Sequence, residues 1–247
     1  MEQLQQLLAH AGVASRRKCA ELVKSGRVTV NRSPTLHPGL KIDPMRDQVR
    51  LDGRVVEPPS AELHIMLHKP AGYLSTRSDP RGRRTVMELL DPGLARSVYP
   101  VGRLDRDATG LLLLSNDGEL AHRLTHPRHH VPRAYEVEVE GQPDRQALDQ
   151  LARGLMLEDG MTAPARLKVH RLSREGSRIK ITLREGRKNQ VKRMFAAVGH
   201  PVRSLRRVSF GSLHLGHMPP GTHRALRPAE VQALREAVGL TDPRAEP

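Results

Sequence analysis

Asp105 and Asp107 stand two residues apart in VYPVGRLDRDATGLLLLSNDGEL, residues 98–120, with Arg103 and Arg106 around them. In an extended chain, side chains two apart share a face. Two carboxylates at this spacing could hold a divalent cation, could form a solvated surface turn, or could include one catalytic carboxylate beside a core strand. From spacing alone the surface turn is the commonest outcome. No other carboxylate or histidine group has a spacing that completes a metal site. The four leucines Leu111–Leu114 read as a buried strand, and charges beside a buried run are unfavourable unless they are paired, solvated or used.

The remaining groups with reactive side chains give weaker signals. His126, His129 and His130 in THPRHH lack a cysteine or second histidine motif at ligand spacing, so a solvated or phosphate-facing loop is expected rather than zinc. GxxxxGK[ST] and GxGxxG do not occur, so a nucleotide-phosphate cradle is not indicated. The single cysteine, Cys19, excludes an intrachain disulfide.

The chain has 247 residues, with 41 Lys plus Arg against 27 Asp plus Glu, a formal net charge of +14. The basic residues lie among periodic segments rather than in a tail. That pattern points to a folded domain with a polyanionic partner, foremost nucleic acid. Base stacking would have to come from Tyr73, Tyr99, Tyr135, Phe195, Phe210 or from arginine planes. The first residues are too polar for a signal peptide, and no apolar run approaches the ~18 residues of a membrane span. A soluble, cytoplasmic protein with no membrane association is expected.

These residues need elements to position them. Leu4, Leu7 and Leu8 fall at helical spacing before Gly12. Ser15 can cap a second helix with an apolar face of Cys19, Leu22 and Val23, ended by Gly26. RVTV and a segment around Val49 and Leu51 follow as strands. Arg16, Arg17, Lys18, Lys24 and Arg27 cluster on or beside the second helix and are the candidate RNA-binding residues. EPPSAEL, residues 57–63, reads as a linker. The expected domains are thus 1–60 and 63–241, with a loose tail, DPRAEP. In the larger domain, LHIMLHK, Leu111–Leu114, AYEVEVE and SRIKITL read as strands. Glu119–Thr125, NQVKRMFAAVG and the segment from Pro228 to Val238 read as helices. NQVKRMFAAVG should bury Val191, Met194, Phe195 and Val198. Strands outnumber helices without regular alternation, which predicts an α+β fold with a mixed, mainly antiparallel sheet.

GRLDRDATGLLLLSNDG closely resembles the signature of the RsuA-type family of bacterial ribosomal RNA pseudouridine synthases. PRAYEVEVEG resembles the strand carrying that family's tyrosine. LREGRKNQVKRMFAAVGHPVRSLRRVSFGSL resembles its third segment. Residues 4–31, from LQQLLAHAG to TVN, resemble the S4 RNA-binding domain. The resemblance covers residues 1–241. It implies isomerisation of a uridine in ribosomal RNA: the N1–C1′ bond breaks, the uracil turns, and C5 bonds to C1′. Nothing is added or removed, so neither cofactor nor metal is implied.

Asp105 inherits the catalytic role, whether by attack on C1′ or by assisting removal of a sugar proton. Tyr135 is implied to pack against the target base, although it also shares a strand face with Val137 and Val139. Lys192 is implied to pair with the catalytic aspartate, with Arg193 as the one-residue alternative. Arg103, in the same motif, is expected at the substrate. Arg133 stands where the family often has lysine. STRSDPRGRRTVMELL resembles the large-subunit branch, so 23S rRNA is the expected substrate and 16S rRNA the runner-up, with the protein acting on ribosomal RNA or an assembly intermediate as a monomer. A non-catalytic RNA-binding or ribosome-assembly factor is the alternative of another class, and the intact Gly-Arg-Leu-Asp argues against it.

Overall fold

The computed structural model describes residues 1–57 and 61–240. The chain forms two compact units. The first comprises residues 1–63 together with 91–99 and 115–118, and the second holds the rest. Part of the expected linker, residues 58–60, and the DPRAEP tail lie outside the described residues.

In the first unit, α1 (Leu4–His10) and α2 (Arg16–Lys24) bury Leu4, Leu7, Leu8, Cys19 and Val23 against Val28, Ile42 and Val49. The Ser15 hydroxyl accepts from the Lys18 amide at 3.3 Å, capping α2. Two small sheets complete the core. One pairs β1 (Glu2–Gln3) with β4 (Lys41–Ile42). The other runs in the order β3 (Ser33–Pro34), β2 (Val28–Val30), β5 (Val49–Leu51), β6 (Arg54–Val55). Four of these strands have only two residues, too few for alternation to announce them. A short helix, α3 (Pro92–Ser97), also belongs to this unit.

The second unit is built on a mixed sheet, with nine strands among the described residues. Its strands are β7 (His64–Lys69), β8 (Tyr99–Val101), β9 (Thr109–Ser115), β10 (Arg133–Val139), β13 (Arg166–Arg171), β14 (Ser177–Leu183), β15 (Val202–Phe210), β16 (Leu213–His214) and β17 (His223–Ala225). The main order is β13-β14-β10-β15-β9-β7-β17, with β16 on β15 and β8 on β9. β15 and β9 run parallel, whereas β10 is antiparallel to both β14 and β15. Every residue of β7 is buried, as are residues 110–115 of β9. Leu111–Leu114 in β9 therefore reads as an unbroken apolar run, whereas β7 buries His64, His68 and Lys69 beside Ile65, Met66 and Leu67, and β14 alternates buried positions with half-buried or exposed ones. A separate hairpin joins β11 (Met156–Leu157) to β12 (Gly160–Met161).

Among the described residues four α-helices accompany the sheet: α4 (Gly118–Thr125), α5 (Arg145–Arg153), α6 (Gln190–Ala197) and α7 (Pro228–Ala237). α6 buries Gln190, Val191, Met194 and Phe195. Val198, expected on that face, is the half-buried residue just past the helix end. The α+β reading holds. No helix among the described residues is long and apolar enough to cross a membrane.

Candidate active site

The chemistry-bearing residues of the second unit converge on a cleft of about 560 Å³, whose lining includes Arg103, Asp105, Arg133, Tyr135, Asn189 and Arg207. Asp105 is half-buried on the connection between β8 and β9. That connection is fastened from β7 and the segment after it. The Lys69 ammonium, fully buried, donates to the carbonyls of Pro70, Arg106 and Ala108 at 3.1, 3.2 and 2.7 Å. The Ser75 hydroxyl donates to the Leu104 carbonyl at 2.9 Å and accepts from the Leu104 amide at 3.1 Å. The Gly72 amide donates to the Arg106 carbonyl at 2.7 Å. Asp105 is thus flanked by fixed backbone on both sides, the arrangement a reacting carboxylate needs.

Asn189 addresses Asp105 directly. A carboxylate can only accept, so the amide nitrogen must face it. In that orientation Nδ2 donates to Oδ2 at 2.8 Å and to Oδ1 at 2.9 Å. Asn189 precedes α6 with φ of 51°, a left-handed conformation that asparagine tolerates better than most residues. Its side chain does not cap the helix.

The expected pairing of Lys192 with Asp105 is corrected. Lys192 Nζ donates to both oxygens of Asp107, at 2.7 and 2.5 Å, and this pair holds the Asp107 carboxyl below its ordinary value. Arg193 does not supply the missing cation either, since its guanidinium binds Asp159 at 3.1 and 2.9 Å. The chain bends at residues 106–107, so the two aspartates meet different partners from one helix and its preceding residue. Asp107 is exposed at its tip, with 72% of its side-chain surface accessible, so the Lys192 pair contributes at most about 1 kcal/mol to stability.

Tyr135 lies half-buried on β10, directly across from Arg207 on β15 and Ile181 on β14. The cleft wall and the core packing expected of Tyr135 are compatible, since Val137 and Val139 further along are fully buried. Arg133 donates to the Leu124 carbonyl at 3.2 Å, and its guanidinium carbon stands 5.4 Å from the Phe210 ring centre. Burial lowers the Arg133 pKa. Arg103 is exposed on the cleft lining. Outside the cleft, the His126 ring accepts from the Arg128 amide at 3.2 Å and the His129 ring from the Arg128 guanidinium at 3.0 Å, within an exposed turn.

The comparison with known families decides among the readings of this cleft. The RNA pseudouridylate synthase family matches residues 63–197, and the S4 domain matches residues 3–47. The chain belongs to the RNA pseudouridylate synthase family. Among curated proteins, it is 43% identical over 237 residues to the ribosomal large subunit pseudouridine synthase B of Bacillus subtilis strain 168, covering 95% of this chain and 96% of that one. It is 39% identical to the protein of the same name from Escherichia coli O6:H1, covering 97% and 84%. A crystal structure of a pseudouridylate synthase superposes with a TM-score of 0.69 at 29% identity, over 95% of this chain and all of that one.

In this synthase, Lys69, Asn189 and Arg207 were not read as site residues from sequence. Only Asn189 carried a visible signal, an asparagine directly before a helix, and capping is the ordinary reason for one there. Lys69 has a measurable signature. Burial drives its pKa down from 10.5 to about 8, against the opposing pull of Asp107 and Asp105. The unfolded chain therefore binds more protons than the folded one between about pH 8 and 10.5. Stability from this group is lowest below pH 8 and rises through that window. The full rise corresponds to about 3 kcal/mol. Denaturant unfolding of wild type and Lys69→Met should show the difference between the two curves shifting in favour of wild type by that order from pH 7.5 to 10.5. Parallel curves would show that Lys69 is not a buried cation.

Proposed function

We propose that this enzyme isomerises a uridine of large-subunit ribosomal RNA to pseudouridine, with Asp105 as the catalytic carboxylate. One observation supports the role of Asp105 above the others: it is the carboxylate on the cleft lining that is held by a neutral donor rather than by a cation. Asn189 orients both oxygens, and no cation among the described residues makes a contact ion pair with Asp105, so the carboxylate can act on C1′ or on a sugar proton. The large-subunit assignment rests on the two relatives named for that subunit.

Tyr135 faces the uracil in this reading. A uridine taken out of its stack loses a few kcal/mol, and an aromatic ring against the base returns roughly 1–3 kcal/mol. Arg103, exposed at the cleft, meets the RNA backbone. Lys192 orders Asp107 beside the site.

Mapping pseudouridines in ribosomal RNA from a strain lacking this protein tests the assignment. One 23S position should lose its modification and regain it with the wild-type gene. Loss at a 16S position would move the substrate to the small subunit, and no loss anywhere would favour the non-catalytic reading.

The basic face of α2 serves as a sequence-independent phosphate grip. All of Arg16, Arg17, Lys18, Lys24 and Arg27 are exposed. Lys18 is already paired with Glu21 at 3.0 Å, and Arg27 with Asp52. Arg16, Arg17 and Lys24 have no carboxylate at ion-pair distance among the described residues, so they carry most of the phosphate binding. Replacing these three by alanine should make log K against log salt shallower by about 2, at roughly 0.7–0.9 per phosphate. Titration of ribosomal RNA fragments at several salt concentrations reads this, and an unchanged slope would reduce α2 to a solvated surface.

A further inference from the structure

Arg207 is 2% exposed, yet it belongs to the cleft lining. Its Nε donates to the Leu111 carbonyl at 2.7 Å, and its guanidinium carbon lies 5.2 Å from the Phe210 ring centre. Nη2 is buried with no acceptor among the described residues. No carboxylate reaches ion-pair distance of this guanidinium there. A second cation, Arg133, stands on the same Phe210 ring, so the floor of the cleft carries buried positive charge without a resident anion. Buried charges are ordinarily paired, and an apolar side chain of similar size would serve stability at least as well. An unsatisfied buried donor at a cleft floor therefore calls for an anion that arrives later.

Two anions are available from RNA: a backbone phosphate and the base itself. A phosphate prefers exposed cations that can follow its oxygens. Arg207 is sealed under the floor, directly across the β10–β15 ladder from Tyr135, where only a flat ring laid against the strand face comes close. The chemistry supplies such an anion. Breaking N1–C1′ sends the bonding pair into the uracil ring, while C1′ is taken up by an Asp105 oxygen or the sugar yields a proton to Asp105. The ring then stays anionic until C5 bonds to C1′, either as the Asp105 oxygen leaves C1′ with its bonding pair or as Asp105 returns its proton to the sugar; the C5 proton then leaves and N1 gains one. We infer that Arg207 is the fixed cation that stabilises the detached uracil anion, its donor Nη2 unmatched in the resting enzyme because the matching charge exists only during the reaction. Preorganised charge of this kind acts on the transition state rather than on binding.

The inference rests on the isomerase reading above and predicts a dependence on the leaving group that a structural arginine would not produce. Ribosomal RNA transcripts of both subunits, made with UTP or with 5-fluoro-UTP, are given to excess enzyme, and breakage of N1–C1′ is read by nucleoside chromatography as disappearance of the N-glycoside, since C5 of 5-fluorouridine has no proton to lose and its C-glycoside stops before that last step. The electron-withdrawing fluorine makes the base a better anion, so it needs Arg207 less. Arg207→Gln keeps a donor for Leu111 but removes the charge. Its rate on uridine should fall roughly 10²–10³-fold, its loss on 5-fluorouridine should be at least about tenfold smaller, and its RNA affinity should change less than twofold. Arg207→Met should behave alike, and Arg207→Lys should recover most of the rate. Equal losses on both substrates, or a loss confined to RNA affinity and its salt dependence, would overturn the inference, the latter in favour of a phosphate contact. If neither neutral variant folds, Arg207 is structural and the inference falls. Wild-type turnover in Asp105→Asn would defeat the catalytic assignment of Asp105 instead, and would leave the substrate ratio of Arg207→Gln readable.

Discussion

Asp105→Asn should lower isomerisation by roughly 10²–10⁴-fold or more while the protein still folds and binds RNA. The substitution preserves shape and removes the anion. Asn189 now donates to both oxygens of Asp105. Against an asparagine it can donate to only one oxygen, and its other contact becomes donor against donor. Orientation and charge are therefore lost together, and neither a nucleophile nor a base remains at C1′. Stability should change little, because the carboxylate is half-buried and makes no contact ion pair among the described residues. Asp107→Asn supplies the contrast. It breaks the Lys192 pair, but that pair is largely exposed, so activity should fall by less than about tenfold. The spacing of the two aspartates also admitted a metal site, for which full activity in excess EDTA is the check. Single-turnover assays of both variants on ribosomal RNA fragments, with melting curves beside them, make the comparison. Substantial turnover by Asp105→Asn, or an equal defect in Asp107→Asn, would remove Asp105 from the centre of the reaction.

The sequence made some of this legible and hid the rest for physical reasons. Leu111–Leu114 read as a buried strand, but the spacing of the charges before it favoured a surface turn, and only the family resemblance singled out Asp105. Ser15 announced α2, and the alternations in β10 and β14 announced strands with one covered face. β15 went unread although it is the longest strand. Arg203 and Arg206 face out along it and Arg207 faces in, so residue type does not report its period. The pairing of Lys192 with Asp105 was carried over from the family resemblance, whereas here the backbone bends at residues 106–107 and hands each aspartate to a different partner. Lys69 and Arg207 escaped for a common reason. Lysine and arginine are solvated in nearly every setting, and only the three carbonyls around one and the strand packing around the other show them to be internal. Asn189 needed its left-handed backbone to be known before its amide could be aimed. Lys69, Asn189 and Arg207, which sequence pattern fails to predict, thus lie on the Asp105 connection or on the cleft that Asp105 lines, where local preference yields to the proposed function.

Gly110→Ala should be the most damaging small substitution in the second unit. Gly110 sits at φ of +108° on β9, where the parallel ladder sets it directly opposite Arg207. A Cβ added there would stand 2.2 Å from the Arg207 carbonyl oxygen and 2.6 Å from its amide nitrogen. Both are backbone atoms of a central strand, so no side-chain rotation relieves the overlap. β9 and β15 must separate, and with them go the Leu111 carbonyl that holds Arg207 and the end of the connection that carries Asp105. The expected loss is at least about 4 kcal/mol, in the range reserved for defects of this kind, against a total stability of order 5–15 kcal/mol for a domain. Most of the variant should be insoluble or melt far below wild type. Gly72→Ala separates the two causes. Gly72 also has positive φ, at +92°, but a Cβ there meets nothing within 4 Å, so it should lose only the backbone strain of about 1–3 kcal/mol. Unfolding midpoints of the two variants against wild type measure the difference. If Gly110→Ala is no less stable than Gly72→Ala, then β9 and β15 have room to part. In that case the close approach of the two strands does not fix the distance between the Asp105 connection and the cation beneath the cleft.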